Sequence, residues 1–386
     1  MIARLDEVFN LQMGKTPSRN NTDYWINGQY DWISIADLGG YQKYVEKTKE
    51  KISALAVQES GIKSVPANTV IMSFKLSLGK TAITKNPVYT NEAIMAFIPT
   101  ERYAVLPDYF YYLFSARDWT KGTNRAVMGT TLNKATLSAL SIEVPPLEKQ
   151  HHIAATLDKV SDLISKRRQQ LDKLDELVKA RFVEMFGDPV SNPYDWNLRG
   201  LLQLGDCKNG MNFHSTDIGV NVHCLGVGDF KNLSCISDTS KLPTVSLTGM
   251  PSDEYMLKDG DIVFVRSNGN KALVGRSLVV YPATTPTTFS GFCIRFRLHC
   301  DEVKADYLLR VLKTDSIRKK MAGRGANIQN LNQKILGELQ IPVPPLDLQN
   351  QFTGFVEQIE KTKVTISHSL EKLETLKKAL MQEYFG

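Results

Sequence analysis

The sequence has 386 residues, of which 42% are hydrophobic and 23% are charged. These proportions exclude a globally disordered or low-complexity chain, and the length predicts two or three domains. The net charge of +6 permits an anionic partner but does not require one.

Membrane and metal-binding classes are disfavoured next. No stretch approaches the roughly 20 apolar residues that a membrane span needs, and acidic residues stand in residues 1–12 where a secretory signal would be apolar. We therefore expect a cytoplasmic protein without a membrane partner. The five cysteines form no C-x-x-C pair, and His223 beside Cys224 lacks a second closely spaced ligand pair, so no metal site is predicted.

The first part of the chain, residues 1–144, is predicted to be a mixed α/β domain. Runs rich in β-branched or other apolar residues at 69–72 and 93–98 predict strands, and residues 108–119 predict a helix. Strands and short helices in irregular order are typical of a domain without a long parallel βαβ series.

A long helix is predicted next, within residues 145–187. Pro145 and Pro146 precede it and Gly187 ends it, which is the expected punctuation of a helix. Its apolar residues recur at spacings of four and three, which indicates a coiled-coil seam. The seam residues are Ile153, Leu157, Val160, Ile164, Leu171 and Leu174.

A second domain and a second helix follow, at residues 188–343 and 344–386. A connector rich in Pro and Asn opens this domain, strands are predicted at 261–265 and 292–298, and a helix is predicted at 306–321. The helix that follows carries its own seam, formed by Phe352, Val356, Ile359, Ile366, Leu370 and Leu373.

The two halves of the chain are copies of one plan. Residues 140–187 superpose on residues 339–386 without a gap, and 16 of the 48 positions are identical. The correspondence continues upstream more loosely, since Gly79-Lys80 falls on Gly275-Arg276. A duplicated unit, consisting of a globular part followed by a helix, accounts for these matches together.

Polar residues interrupt the two seams at different positions along the helices. Arg167 and Arg181 interrupt the first, whereas Lys363 and Lys377 interrupt the second. Because these defects do not coincide, we expect the two helices to pair with each other as an antiparallel coiled coil. The alternative is that each helix packs only on its own domain.

Basic and amide side chains cluster in turns at corresponding places of the two domains. Arg and Lys can contact phosphate or guanine, and Asn can form paired hydrogen bonds with adenine, so these turns fit two DNA-reading domains. The candidate DNA-binding residues are Lys75, Ser77, Lys80, Lys121, Asn124, Arg125, Arg266, Asn268, Asn270, Lys271, Arg276, Arg324 and Asn327.

Catalytic motifs are not recognisable in the sequence. Gly79-Lys80-Thr81 resembles the end of a phosphate-binding loop, but Phe74 stands where that loop needs a glycine. Asn192-Pro193-Tyr194 lacks one proline of the amino-methyltransferase motif and reads as a linker turn. We therefore expect a chain that is not an enzyme and holds no cofactor.

The whole pattern resembles the specificity (S) subunit of type I restriction-modification systems. The resemblance rests on two unlike globular parts, on two helices that open with the pattern IxVPPLxxQ, and on the segment at 185–189 that reads MFGDP. It implies two target recognition domains, each reading one half of a bipartite double-stranded DNA site. It also implies that the helices set the unread spacer and bind two methyltransferase (modification) subunits, through which restriction and translocase subunits join.

Two other functions remain open on the sequence alone. The chain could be a self-contained DNA methyltransferase with degenerate motifs, in which case the purified chain would bind S-adenosylmethionine. It could also be a coiled-coil adaptor that binds no DNA, in which case duplex DNA would not be retarded in a gel even with the methyltransferase present.

Overall fold

The computed structural model describes residues 1–75, 77–119, 125–126, 129–130, 132–213, 218–230, 233–322 and 330–386, with only the backbone at 125–126 and 129–130. The chain divides into two compact units. The first unit comprises Met1–Gln169 and Ser367–Gly386, and the second comprises Gln170–Ile366. Both divisions fall within long helices, so each unit contains parts of both.

The first unit is a mixed α/β domain with long helical segments. Its strands are β1 (Ile2–Arg4), β2 (Phe9–Met13), β3 (Tyr30–Ile33), β4 (Glu50–Ile52), β5 (Val70–Ser73), β6 (Thr81–Ile83), β7 (Tyr89–Thr90), β8 (Ile94–Pro99), β9 (Arg125–Ala126), β10 (Gly129–Thr130) and β11 (Ser141–Glu143). Its helices are α1 (Leu5–Val8), α2 (Ile35–Leu38), α3 (Ala54–Ser60), α4 (Pro107–Ala116), α5 (Lys134–Ser138) and the first part of α6 (Leu147–Phe186), and a 3-10 turn lies at Thr22–Tyr24.

Two sheets form the centre of the first unit. One has the order β2-β8-β5-β6 and is antiparallel throughout, and the other has the order β4-β3-β7 with β3 parallel to β7. Helix α4 covers the first sheet through aromatic contacts, since the Phe110 ring lies 5.0 Å from Phe9 and the Phe114 ring lies 4.6 Å from Phe97. Such aromatic packing buries large apolar surfaces in a defined geometry.

The second unit has its own set of elements. Its strands are β12 (Asn197–Gly200), β13 (Gly205–Asn209), β14 (Val220–Leu225), β15 (Cys235–Ile236), β16 (Thr244–Leu247), β17 (Asp261–Val265), β18 (Ser277–Val280), β19 (Thr287–Phe289), β20 (Cys293–Leu298) and β21 (Gln340–Val343). Its helices are the last part of α6, α7 (Leu201–Leu204), α8 (Ala305–Lys313), α9 (Asp315–Ala322), α10 (Gln333–Gly337) and the first part of α11 (Leu346–Phe385), with 3-10 turns at Val227–Asp229, Thr239–Lys241, Asp253–Tyr255 and Lys271–Leu273.

The second unit repeats the strand topology of the first. Its large sheet has the order β13-β20-β17-β18-β15, which matches β2-β8-β5-β6 with one strand added, and β16-β14-β19 matches β4-β3-β7. In each unit the first strand pairs antiparallel with the strand just before the long helix, β1 with β11 and β12 with β21. The predicted mixed α/β architecture, with two domains joined by helices, is confirmed.

One predicted helix is in fact two. Residues 306–321 were expected to form a single helix, whereas α8 ends at Lys313 and α9 begins at Asp315. Thr314 is extended, with φ −65° and ψ 147°, and its hydroxyl donates to the carbonyl of Val311 at 2.7 Å. A threonine that satisfies the end of one helix in this way changes the chain direction, because it diverts the backbone from helical hydrogen bonding.

Both long helices begin directly after a proline pair, and each carries a buried glutamine in its first turn. Gln150 and Gln349 are 0% exposed. Gln150 accepts a hydrogen bond from the Leu106 amide at 2.8 Å and donates to the carbonyls of Ala104 and Pro145. Gln349 makes the same set with Lys304, Glu302 and Pro344, each at 2.8 Å. The glutamine of each IxVPPLxxQ pattern therefore ties its helix to the loop that precedes α4 or α8.

The first turns of each long helix are buried in their own domain. Ile153 and Leu157 of α6 belong to the core of the first unit, and Phe352, Val356 and Ile359 of α11 belong to the core of the second. Of the other seam residues, Val160 and Ile164 are buried, whereas Leu171, Leu174, Ile366, Leu370 and Leu373 are half-buried.

Within each unit, parts of the two long helices contact each other or the same core. In the first unit, Arg168 of α6 forms an ion pair with Glu374 of α11 at 2.7 Å. In the second unit, Lys363 of α11 forms an ion pair with Asp175 of α6 at 2.5 Å, and the Phe182 ring lies 5.6 Å from the Phe352 ring. Later residues of α6 meet earlier residues of α11, so the segments in the second unit run antiparallel.

Within the first unit, a group of charged and polar side chains links Lys43 and helix α4 to α6. Lys43 forms ion pairs with Asp108 at 2.6 Å and with Asp158 of α6, and the Tyr112 hydroxyl donates to Asp158 at 2.7 Å. Burial, and the hydrogen bond to Asp158, raise the pKa of Tyr112 far above its usual value, so this tyrosine stays protonated and remains a donor.

Among the described residues, no helix is both long enough and apolar enough to cross a lipid bilayer.

Replacing the buried glutamine tests the anchoring of α11. We expect Gln349→Leu to lower the free energy of unfolding by about 3 kcal/mol or more, because it leaves one amide and two carbonyls without partners at roughly 1–3 kcal/mol each. Denaturant unfolding of the full chain measures the loss. The exposed Gln351→Leu serves as the control and should change stability by less than about 0.5 kcal/mol. Equal effects of the two variants would contradict the anchoring role.

Candidate nucleic-acid interface

The turn that follows β17 carries most of the candidate DNA-binding residues of the second unit. All five residues of β17 are buried, and Arg266 is the first residue beyond it. The Arg266 amide donates to the carbonyl of Phe292 at 2.8 Å, and its carbonyl accepts from the Leu331 amide at 2.9 Å. The backbone of Arg266 is therefore fixed by these two hydrogen bonds, while its side chain is half-exposed.

The asparagines of this turn organise it. The Oδ1 atom of Asn268 accepts from the Asn270 amide at 2.8 Å, and the Oδ1 atom of Asn270 accepts from the Ala272 amide at 3.1 Å. Asn270 thereby caps the 3-10 turn that begins at Lys271, and Lys271 itself is exposed. Such local side-chain bonds give a loop a defined shape without a regular element.

The turn after β5 occupies the corresponding place in the first unit. Ser73 is buried, its hydroxyl donates to the Ser77 carbonyl, and its Oγ accepts from the Lys80 amide at 3.0 Å. Gly79 has a φ of +80°, a conformation that glycine adopts without strain. These contacts gather Lys75, Ser77 and Lys80 on one turn, with Lys75 half-buried and Lys80 exposed.

The remaining candidates cannot be placed in this way. Lys121, Asn124, Arg324 and Asn327 lie outside the described residues. Arg125 is described by its backbone alone, which pairs with Thr130 between β9 and β10.

Arg276 lies in a cationic cleft that the sequence did not predict. The cleft is also lined by Lys313, which ends α8, and by Arg318 of α9. Burial, together with the charge of the neighbouring Arg310, lowers the pKa of Lys313 to about 7 against the attraction of Asp175. Burial and the charge of Arg276 lower the pKa of Arg318 as well. The proximity of these cations could not be inferred from sequence, because they belong to no sequence motif and come together only through tertiary contacts.

Arg19 is another basic residue that sequence reasoning missed. Its guanidinium lies 3.7 Å from the centre of the Trp25 ring and forms an ion pair with Glu50 at 2.5 Å. Stacking and pairing of this kind are favourable for arginine. Nothing in the spacing of these three residues indicates that they meet.

Cys207 and Cys224 behave as packing residues. Burial raises the pKa of the Cys207 and Cys224 thiols to about 12, so neither is a thiolate at neutral pH. The Nδ1 atom of His223 lies 3.0 Å from the carbonyl of Leu242. In the part of the chain that the structure describes, no group of three or more His, Cys, Asp or Glu residues is arranged to hold a metal ion.

Comparison with known proteins assigns this architecture to a family. The model of the type I restriction modification DNA specificity domain matches residues 1–175 and 228–377, which is more than half of the chain. The chain is 27% identical over 236 residues to the MjaIX type I restriction enzyme specificity subunit of Methanocaldococcus jannaschii, covering 56% of this chain and 54% of that protein. It is 29% identical over 187 residues to the EcoR124I/EcoR124II specificity subunit of Escherichia coli, covering 46% of this chain and 45% of that protein.

Coverage differs between relatives. The chain spans about half the length of the two relatives above. By contrast, it is 22% identical over 403 residues to the MjaVIII specificity subunit of Methanocaldococcus jannaschii, covering 98% of this chain and 90% of that protein.

Two solved structures share the fold. A crystal structure of a type I restriction-modification S subunit from M. genitalium aligns with a TM-score of 0.57 and 15% identity, covering 100% of this chain and 96% of that chain. A chain from a structural study of complex assembly in the type I R-M system aligns with a TM-score of 0.62 and 16% identity, covering 100% and 97%. At these identities the likeness concerns the fold alone.

The lowered pKa of Lys313 predicts a specific dependence of stability on pH. Between about pH 7 and 10 the unfolded chain binds a proton at Lys313 that the folded chain does not hold, so stability should rise with pH in this window. We expect Lys313→Met to remove this component, which is at most about 1.4 kcal/mol per pH unit.

Denaturant unfolding at several pH values, in buffers without phosphate, measures this slope. The exposed Lys319→Met on α9 is the matched control and should keep the wild-type slope. If the wild type and Lys313→Met showed parallel pH profiles, Lys313 would not be the desolvated cation that the cleft requires.

Proposed function

The chain belongs to the type I restriction modification DNA specificity domain family, and from that premise we propose that it is the sequence-specific DNA-binding subunit of a type I restriction-modification complex. The observation that carries this proposal is the duplicated sheet, with a basic turn after the same buried strand in each unit. Two DNA-reading domains of the same fold suit a DNA target that consists of two separate half-sites.

In this proposal each domain reads one half of a bipartite target. Residues 1–144 and 188–343 are the two recognition domains, and their readers include the turns that follow β5 and β17. Lys75, Lys80 and Arg266 contact phosphates or guanine edges, whereas the shaped turn around Asn270 presents its neighbours to the bases. The rigid backbone at Arg266 favours such a role, because base readout needs side chains that start from fixed positions.

The helical segments, residues 145–187 and 344–386, set the distance between the half-sites. Each long helix has 40 residues. At about 1.5 Å per residue such a helix measures roughly 60 Å. The ion pairs of Arg168 with Glu374 and of Lys363 with Asp175 support a stiff helix pair in each unit. The number of unread base pairs between the half-sites would then be fixed.

The partners follow from the same proposal. Two methyltransferase subunits bind the helical segments, and restriction and translocase subunits join the complex through them. The chain itself transfers no methyl group and cuts no DNA, so S-adenosylmethionine and ATP are bound by its partners in the cytoplasm. The high pKa values of the buried thiols support a chain that carries no cysteine nucleophile at these positions.

A substitution in one turn should affect one half-site. We expect Arg266→Ala to weaken binding by about 1–3 kcal/mol, or to relax sequence preference, at the second half-site only, because it removes one contact from one domain. Footprinting of the complex with its methyltransferase partners, on targets changed in either half-site, measures this.

Lys75→Ala is the reciprocal variant and should affect the first half-site only. Loss of contacts in the first half-site on Arg266→Ala would contradict the assignment of one domain to each half.

Lengthening both helices tests their role as a spacer. Four residues inserted after Gln169 and four after Ile366, where the two units divide each helix, add about 6 Å to each. Because base pairs rise by about 3.4 Å, the preferred unread spacer should grow by one or two base pairs. Selection of bound targets from a library with variable spacers gives the answer, and an unchanged spacer would refute the ruler role.

A further inference from the structure

The cleft beside Arg276 is built from three elements of the second unit. It has a volume of about 360 Å³, and its cationic side chains are Arg276 before β18, Lys313 at the end of α8 and Arg318 in α9. Phe230 and Leu233 form an apolar side. Below about pH 7, where Lys313 is protonated, all three side chains are cations, so an anion in the cleft would be stabilised by all three.

Two of the cations are held in place by neutral oxygen atoms. The Lys313 ammonium donates to the Ser234 hydroxyl at 2.8 Å and to the Leu233 carbonyl at 3.3 Å. The Arg318 guanidinium donates to the carbonyls of Gly275 at 2.9 Å and Val274 at 3.4 Å. These partners orient the cations without neutralising their charge. The acidic residues that act on them, Asp315, Asp175 and Glu360, are not among the described residues that line the cleft.

A buried hydroxyl also faces the cleft. Ser277 is 3% exposed and lines the cleft, and its Oγ atom has no hydrogen-bond partner among the described residues. A buried polar group without a partner destabilises a fold by its lost hydration. An anionic oxygen in the cleft would supply that partner, because a hydroxyl can donate to it.

The first unit fills the corresponding place with an aromatic ring. Gly79 corresponds to Gly275, and a Cβ atom at Gly79 would lie 2.7 Å from the Cδ1 atom of Trp119. The Trp119 indole donates to the Phe114 carbonyl at 2.8 Å and is buried. In the second unit Arg318 contacts Gly275 instead. Corresponding positions of the two domains therefore carry a buried aromatic side chain, Trp119, in the first and a cation, Arg318, in the second.

We propose that the cleft of Arg276, Ser277, Lys313 and Arg318 binds a phosphate group, supplied either by the DNA backbone or by a free phosphate ion. The DNA source rests on the function proposed above, whereas binding of a free ion does not. A phosphate offers several acceptor oxygens to guanidinium, ammonium and hydroxyl donors, which is the donor set of the cleft. A bound phosphate would reduce the repulsion among the cations of the cleft.

Two measurements on the full chain separate the sources. In the first, thermal unfolding is followed below pH 7, where Lys313 is protonated, in inorganic phosphate and in chloride at equal ionic strength. Phosphate should raise the Tm of the wild type and of Lys319→Met, but not that of Lys313→Met, because a ligand stabilises only a fold that binds it. Ser277→Ala keeps all three cations and should weaken phosphate binding about tenfold.

In the second measurement, affinity for duplex DNA is determined at several salt concentrations with the methyltransferase partners present. For a backbone phosphate, Lys313→Met should reduce the slope of log affinity against log salt by about one, while Lys319→Met leaves the slope unchanged. If Lys313→Met abolishes the phosphate effect but leaves this slope unchanged, the site binds free phosphate and the DNA source is excluded.

Failure of the cleft and failure of the proposed function have different signatures. If the wild type binds no DNA while phosphate still stabilises it through Lys313, the DNA-binding function fails and the phosphate site stands. If Lys313→Met and Ser277→Ala match the wild type in both measurements, the phosphate site is overturned.

Discussion

Burial of the first turns of each long helix in the domain that precedes it is the constraint on which the other features depend. Ile153 and Leu157 are part of one core, and Phe352 and Val356 are part of the other. Gln150 and Gln349 add the same three hydrogen bonds at each helix start. Because hydrophobic burial and satisfied polar groups act together there, each helix leaves its domain in a defined direction. A later part of the other helix completes each unit, as the contact of Tyr109 with Phe385 illustrates at 5.5 Å.

Periodicity and punctuation predicted the large features because they are local. Heptad spacing, proline pairs and terminal glycines identified α6 and α11, and β17 was predicted with its observed bounds. Contacts between distant residues are a different matter. The repeated glutamine was visible in the sequence, but its partners 44 to 47 residues earlier in the chain were not. The break at Thr314 was missed although Thr314, Asp315 and Ser316 are residue types that favour the start of a new helix.

The candidate site divides in the same manner. The turns after β5 and β17 could be identified as basic, since their residues are adjacent in sequence. The cleft of Arg276, Lys313 and Arg318 could not be identified, because 41 residues of intervening chain separate Arg276 from Arg318. The duplicated sheet holds these parts in place while the side chains at one position differ, Trp119 in the first unit and Arg318 in the second. One frame with different side chains is a physical basis for two different specificities.

We propose that each of the two copies of one domain recognises its own DNA segment. Methylome sequencing of cells that express the chain with its methyltransferase partners is the decisive experiment. We expect one methylated motif made of two defined half-sites separated by a gap of fixed length whose bases are unconstrained. A continuous motif without a gap, or methylation that follows no motif dependent on this chain, would contradict it.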